Sequence, residues 1–205
     1  MLSYSDWLLS GFTGEDSHTE CPPEVLASHF IKFNREISTI KTDWTEEELA
    51  QAIWNLYGGG LCYFSDLSRL PPSQLVSDLF DSVEILYQEL FEPHCSHFYS
   101  HLDCGPESAK PLNGPCYMLW DMNCGIDAFT FSELSDHVSQ IFRLLSNLAE
   151  SQHPATLESV IHGLGHLTID HYNLSQPILD RIIHRKGLPN ELKIYATDAL
   201  QSLIQ

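Results

Sequence analysis

Apolar residues recur along this chain at helical spacing. In residues 22–37, Leu26, Phe30, Phe33 and Ile37 are separated by 4, 3 and 4 positions, and Pro22-Pro23 suits a helix entrance. Thr45-Glu46-Glu47-Glu48 forms a capping box ahead of Leu49, Ile53, Trp54 and Tyr57, and Gly58-Gly59-Gly60 stops that helix. Pro71-Pro72-Ser73 opens another, with Leu75, Leu79, Val83, Leu86 and Leu90 on one side and Asp78, Asp81, Glu84 and Gln88 on the other. A short helix is predicted after Glu92-Pro93, running to about Asp103. Residues 1–20 predict a short helix followed by a polar loop.

The C-terminal half continues in the same period. Thr130-Phe131-Ser132-Glu133 is a second capping box, followed by Leu134, Val138, Ile141, Leu145 and Leu148. Pro154 opens a helix whose Leu157, Val160, Ile161, Leu164, Leu167 and Thr168 form one apolar stripe. Asn173-Leu174-Ser175 is expected to separate it from a further helix over residues 177–186, and the last helix covers about residues 190–203. Only residues 61–64 hint at a strand. The pattern predicts an all-α fold of about eight to ten helices in irregular α-α, HEAT-like packing. It is expected to be one domain over residues 1–205, with lobes at 1–104 and 125–205 joined by a connector at 105–124. Within the connector, Cys116-Tyr117-Met118-Leu119-Trp120-Asp121-Met122 is too apolar to stand in solvent and is expected to pack between the halves.

Leu119-Trp120-Asp121-Met122, Glu158-Ser159 with His162-Gly163-Leu164-Gly165-His166, Ile178-Leu179-Asp180-Arg181, and Leu192 with Tyr195-Ala196 together resemble a pattern of uncharacterised bacterial all-helical proteins. That resemblance covers roughly the last 90 residues. It implies a HEAT-like C-terminal half and brings no activity, substrate or catalytic residue with it.

Charge narrows the choice of partners. The chain has 28 Asp plus Glu against 10 Lys plus Arg, a formal net charge of −18. Such a field repels phosphate backbones and anionic lipid, so neither nucleic acid nor membrane is an expected partner, whereas a basic protein is. Solubility alone is the simpler account of the charge. Residues 1–15 lack the basic and apolar stretches of a signal peptide, which leads to the expectation of a cytoplasmic protein. The cysteines (Cys21, Cys62, Cys95, Cys104, Cys116 and Cys124) show no paired CxxC spacing, so they are expected to be small hydrophobes.

Candidate chemistry concentrates on histidine. His162 and His166 stand at i and i+4, a spacing that lets two imidazoles share one metal ion, and Asp170 follows at i+8. His97 and His101 repeat the spacing, with His94 and Cys104 on the same stripe of the predicted short helix. These residues, His162, His166 and Asp170 with His97 and His101, are the candidate ligands for a divalent metal. Histidines that merely hold neighbouring helices are the plainer alternative. A zincin site is excluded, because Gly163 stands where the glutamate of HExxH belongs. Gly163 and Gly165 each cost about 1 kcal/mol relative to alanine inside a helix, so close approach of a neighbour is expected there. A hydrogen bond from Asp121 to His162 or His166 would fix an imidazole tautomer. No nucleophile elbow, activated thiolate or complete catalytic motif is present. The expectation is therefore a non-catalytic, acidic, inhibitor-like or immunity-like module that binds a basic protein. A metal-binding protein or metal-dependent enzyme built on the His162/His166 helix is the alternative, and a homo-oligomer is a third possibility.

Overall fold

Eight helices of six residues or more make up the fold in a computed structural model that describes residues 2–15, 21–40, 43–58, 61, 63–122 and 136–204. They are α1 (Tyr4–Thr13), α2 (Pro23–Ile40), α3 (Glu46–Tyr57), α4 (Gln74–Leu86), α5 (Asn113–Met118), α6 (Asp136–Leu148), α7 (Pro154–Ile183) and α8 (Asn190–Leu200). Among the described residues there is no strand, and the segment near Leu61 that hinted at one holds a short helical turn, Tyr63–Asp66. The architecture is all-α. No described helix is long and apolar enough to cross a membrane.

Local chemistry explains the ends. Ser3 caps α1 through Asp6 N–H, and Gly14 closes it at φ 70°. The Thr45/Glu48 capping box forms at α3 as its sequence predicts. The corresponding box at Thr130–Glu133 lies outside the described residues. In the last turn of α6 Arg181 Nη2 donates to Ser146 O (3.0 Å), one of the carbonyls the helix end leaves open, and just beyond the helix Arg185 Nη1 donates to Ser151 O (2.6 Å). Arg181 also pairs with Glu150 at 3.0 Å.

Two predicted elements come out differently. The helix expected to run from Glu92 to about Asp103 ends at His94. Beyond it only Ser100–Leu102 makes a 3₁₀ turn, and Tyr99 pairs backbone to backbone with Cys104. Side chains from other elements take the amide groups a helix would have used: Asn113 Oδ1 accepts from Ser96 N (3.0 Å) and Glu158 Oε1 from His101 N (3.0 Å). The common stripe of His94, His97, His101 and Cys104 therefore does not exist. In the other case, the break expected at residues 173–175 falls a little earlier: α7 consists of two helical stretches that meet in a kink at His171, whose angles are non-helical (φ −129°, ψ 41°), and Pro177 lies in the second stretch.

The core is continuous. Buried apolar residues from Leu2 to Ala199 form one cluster, in which the connector's Leu112, Cys116, Leu119, Trp120 and Met122 are fully enclosed. One buried polar chain within it is matched: Tyr57 OH donates to Asn34 Oδ1 (2.7 Å), and Asn34 Nδ2 donates to Ser82 Oγ (3.0 Å). Tyr87 OH meets Ser159 Oγ at 2.7 Å and ties α7 to the turn that extends α4. Because α7 is buried on the connector side as well as on its leucine side, His162 is 1 % exposed.

Candidate metal centre

The centre forms where the connector crosses α7. Trp120 lies against Gly163, where a Cβ would come within 2.6 Å of the indole Cγ, so only glycine lets the connector approach this closely. Trp120 Nε1 donates to Ser159 Oγ (3.1 Å), and Ser159 Oγ donates to Cys116 O (2.5 Å). These contacts fix residues 116–120 one turn before His162 and deliver Asp121 to the histidine pair. Gly165 makes the same allowance for Ile204, 2.7 Å from a Cβ built there.

Three ligand atoms converge. Asp121 Oδ2 is 3.2 Å from His162 Nε2 and 3.3 Å from His166 Nε2, and the two nitrogens are 3.3 Å apart. Among the described residues this is the group of three whose geometry fits a metal ion. Atoms this close together could bind one zinc ion at its usual ~2.0–2.1 Å ligand distances, with Asp121, His162 and His166 as the residues that would hold it. Hydrogen bonding accounts for the same contacts without an ion, since each imidazole Nε2–H can donate to Asp121 Oδ2, a carboxylate oxygen that accepts more than one bond.

The electrostatics favour an anion among these donors. Burial by itself would raise the Asp121 carboxyl, but hydrogen bonds from His162 and His166, with their positive charge when protonated, outweigh it and hold the group well below the ordinary carboxylate range. Its Oδ1 is buried without a hydrogen-bond partner. That oxygen suits either a second bond to an ion or a proton from an ion-bound water. The His162 side chain is 2 % exposed, Asp121 20 % and His166 32 %, so the centre opens on the His166 side.

A second layer backs His162. Its Nδ1 lies 2.8 Å from Tyr195 OH, and Tyr195 OH lies 2.8 Å from Tyr117 OH. Burial, followed by the Tyr117 hydroxyl, pushes the Tyr195 phenol far up, and burial also raises Tyr117, so both are neutral hydroxyls. The Tyr195 ring stacks flat on His101 at 3.9 Å and 8°. His101 Nδ1 is held at 2.6 Å by Glu158, a carboxylate that is 1 % exposed and sits one turn before His162 on α7.

The predicted ligands thus part company. His162 and His166 share the centre, but Asp170 is exposed one turn further along, and Asp121 supplies the carboxylate in its place. His101 is engaged with Glu158, and His97 faces the ring of His153 at 5.1 Å. The two histidine pairs do not share a cavity ligand set, because the helix that was to align His97 with His101 is not formed. Tyr195 and Tyr117 carried no signal of their own in the sequence: a tyrosine in an apolar stripe looks like core. No protein-family model, curated protein or solved structure matches this chain.

Proposed function

We propose that this is a metal-binding protein whose Asp121, His162 and His166 hold a divalent transition-metal ion, with zinc the first choice. The near-equilateral 3.2–3.3 Å triangle of their ligand atoms carries this reading. Two imidazoles favour zinc, iron, cobalt or nickel over magnesium or calcium, which prefer all-oxygen shells. Three protein ligands and an open side leave a position for water or a small ligand, the arrangement of sites in which a metal activates water. The thiols at Cys21, Cys95, Cys104 and Cys116 suit a reducing, cytoplasmic setting. Zinc titration of chelator-treated protein against a chromophoric competitor tests the proposal, with cobalt absorption reporting coordination number. Stoichiometric uptake that His166→Ala abolishes supports it. No uptake of zinc, cobalt, iron or manganese at micromolar concentrations sinks it.

The acidic surface supports a second reading, an inhibitor-like or immunity-like module for a basic protein. Its motivation is the charge of −18. Association steered by such a field slows steeply with added salt. A low-salt pull-down that recovers no protein, or binding that is indifferent to salt, counts against it.

A further inference from the structure

A histidine that ligates through Nε2 usually gives its Nδ1 proton to a carboxylate, a backbone carbonyl or a water, and the first two can only accept. Here the partner of Nδ1 is a hydroxyl, Tyr195 OH at 2.8 Å, and a hydroxyl both donates and accepts. That difference matters because Nε2 of His162 faces Asp121 Oδ2 at 3.2 Å. Without an ion, the favourable contact puts the proton on Nε2 and the lone pair on Nδ1. With an ion, Nε2 must present its lone pair and Nδ1 must carry the proton.

We propose that Tyr195 is the positioning residue of this centre, and that the pair Tyr195–Tyr117 lets His162 exchange one tautomer for the other when a metal enters. The inference rests on the metal-binding reading. In the metal-free arrangement Tyr117 donates to Tyr195, Tyr195 donates to Nδ1, and Nε2–H donates to Asp121. On metal entry the Nε2 proton leaves to solvent through the open side at His166. Tyr195 passes its proton to Nδ1, Tyr117 passes its own to Tyr195, and Tyr117, which is partly exposed, takes one from solvent. One proton is lost and one gained, and the hydrogen-bond chain ends up running the other way, from Nδ1–H to Tyr195 to Tyr117. In neither end state is a buried hydroxyl charged or left without a partner.

The surroundings hold Tyr195 to this task. Its ring is stacked on His101, and His101 is fastened by both its backbone N–H and its Nδ1 to the buried Glu158. The phenol therefore keeps its place from one side while its hydroxyl faces His162 from the other. Tyr117 is likewise held beside the same imidazole, with ring centroids 4.3 Å apart.

The test compares wild type with Tyr195→Phe and Tyr117→Phe, which keep the rings and remove the hydroxyls. Zinc affinity is measured by chelator competition, and the protonated nitrogen of His162 is read from proton–nitrogen NMR of the imidazoles with and without zinc. Tyr195→Phe is expected to weaken zinc binding by about 10- to 100-fold, and Tyr117→Phe by less. In wild type, zinc is expected to move the His162 proton from Nε2 to Nδ1. Tyr195→Phe binding zinc as tightly as wild type overturns the inference, as does a His162 protonated at Nδ1 both with and without zinc. The wild-type NMR comparison decides the matter even if Tyr195→Phe fails to fold. Wild type that takes up no zinc overturns the metal reading together with this inference, whereas the other two outcomes leave metal binding standing.

Discussion

Gly163 carries the indole of Trp120 directly on its backbone: a Cβ at that position would lie 2.6 Å from Cγ and 2.8 Å from Cδ2 of the ring. The glycine costs its helix about 1 kcal/mol relative to alanine, and the contact it permits sets the connector against α7. Asp121 is the next residue after Trp120. Helix stability is thus exchanged locally for the position of a carboxylate.

Gly163→Ala is expected to lower stability despite the better helix former. Forcing a methyl group into a packed ring costs about 1–3 kcal/mol, which exceeds the gain in propensity. The displaced Trp120 also carries Asp121 away from the histidines, so zinc affinity falls with stability. Urea unfolding and zinc titration of the same variant check both. An alanine variant as stable as wild type contradicts this account of the contact.

His166 is 32 % exposed, so its replacement leaves the core intact. His166→Ala is expected to lose zinc by more than the ~10- to 100-fold typical of a residue that only orients a ligand. Asp170→Ala and His97→Ala are expected to bind zinc as wild type does, because neither residue belongs to the cluster. Loss of binding in either of those would move the site elsewhere.

The proposed metal binding would also link to stability. A ligand that binds the folded chain alone stabilises it by about 2.7 kcal/mol at 100 times its dissociation constant. Zinc should raise the thermal midpoint of wild type, and a chelator should reverse the rise. Asp121→Asn should show little of it. A midpoint indifferent to zinc in wild type argues against the centre.

Glu158 and His101 have side-chain exposures of 1 % and 9 %, so their contact is shielded from solvent. Glu158→Ala removes the acceptor of both the His101 ring and the His101 backbone amide. A loss of about 3 kcal/mol is expected from stranding such groups. Chemical denaturation measures it, and a loss below about 1 kcal/mol would show that water replaces the carboxylate.

The alkaline limit follows from the core phenols. Burial pushes Tyr57 and Tyr87 well above the usual phenol range. A raised folded value means that their contribution to stability is complete below about pH 10, where the unfolded phenol ionises, and is lost as pH rises from there toward the folded value. Absorbance titration near 295 nm should show a fraction of the tyrosines ionising only together with loss of helical circular dichroism. Ionisation of all tyrosines while the helices persist would contradict their burial.

Helix positions were legible along the chain because an apolar stripe at 3.6-residue spacing is a local pattern with one way to be buried. Leu26, Phe30, Phe33 and Ile37 formed the stripe their spacing required, and Thr45 and Glu48 formed their capping box. The meaning of Gly163 was half legible: the sequence demanded a close neighbour without saying that it was Trp120. Stops were less legible where distant side chains compete for the backbone, as Asn113 and Glu158 do beyond His94, and the break expected at residues 173–175 falls at His171. For the centre, the sequence by itself determined that His162 and His166 share a helical face. Tertiary structure decided that Asp121, 41 residues before His162, is their carboxylate, that Asp170 is not, and that Tyr195 stands behind the ring. Spacing along a helix specifies direction only within that helix. Which residue from elsewhere arrives opposite depends on how the whole core closes.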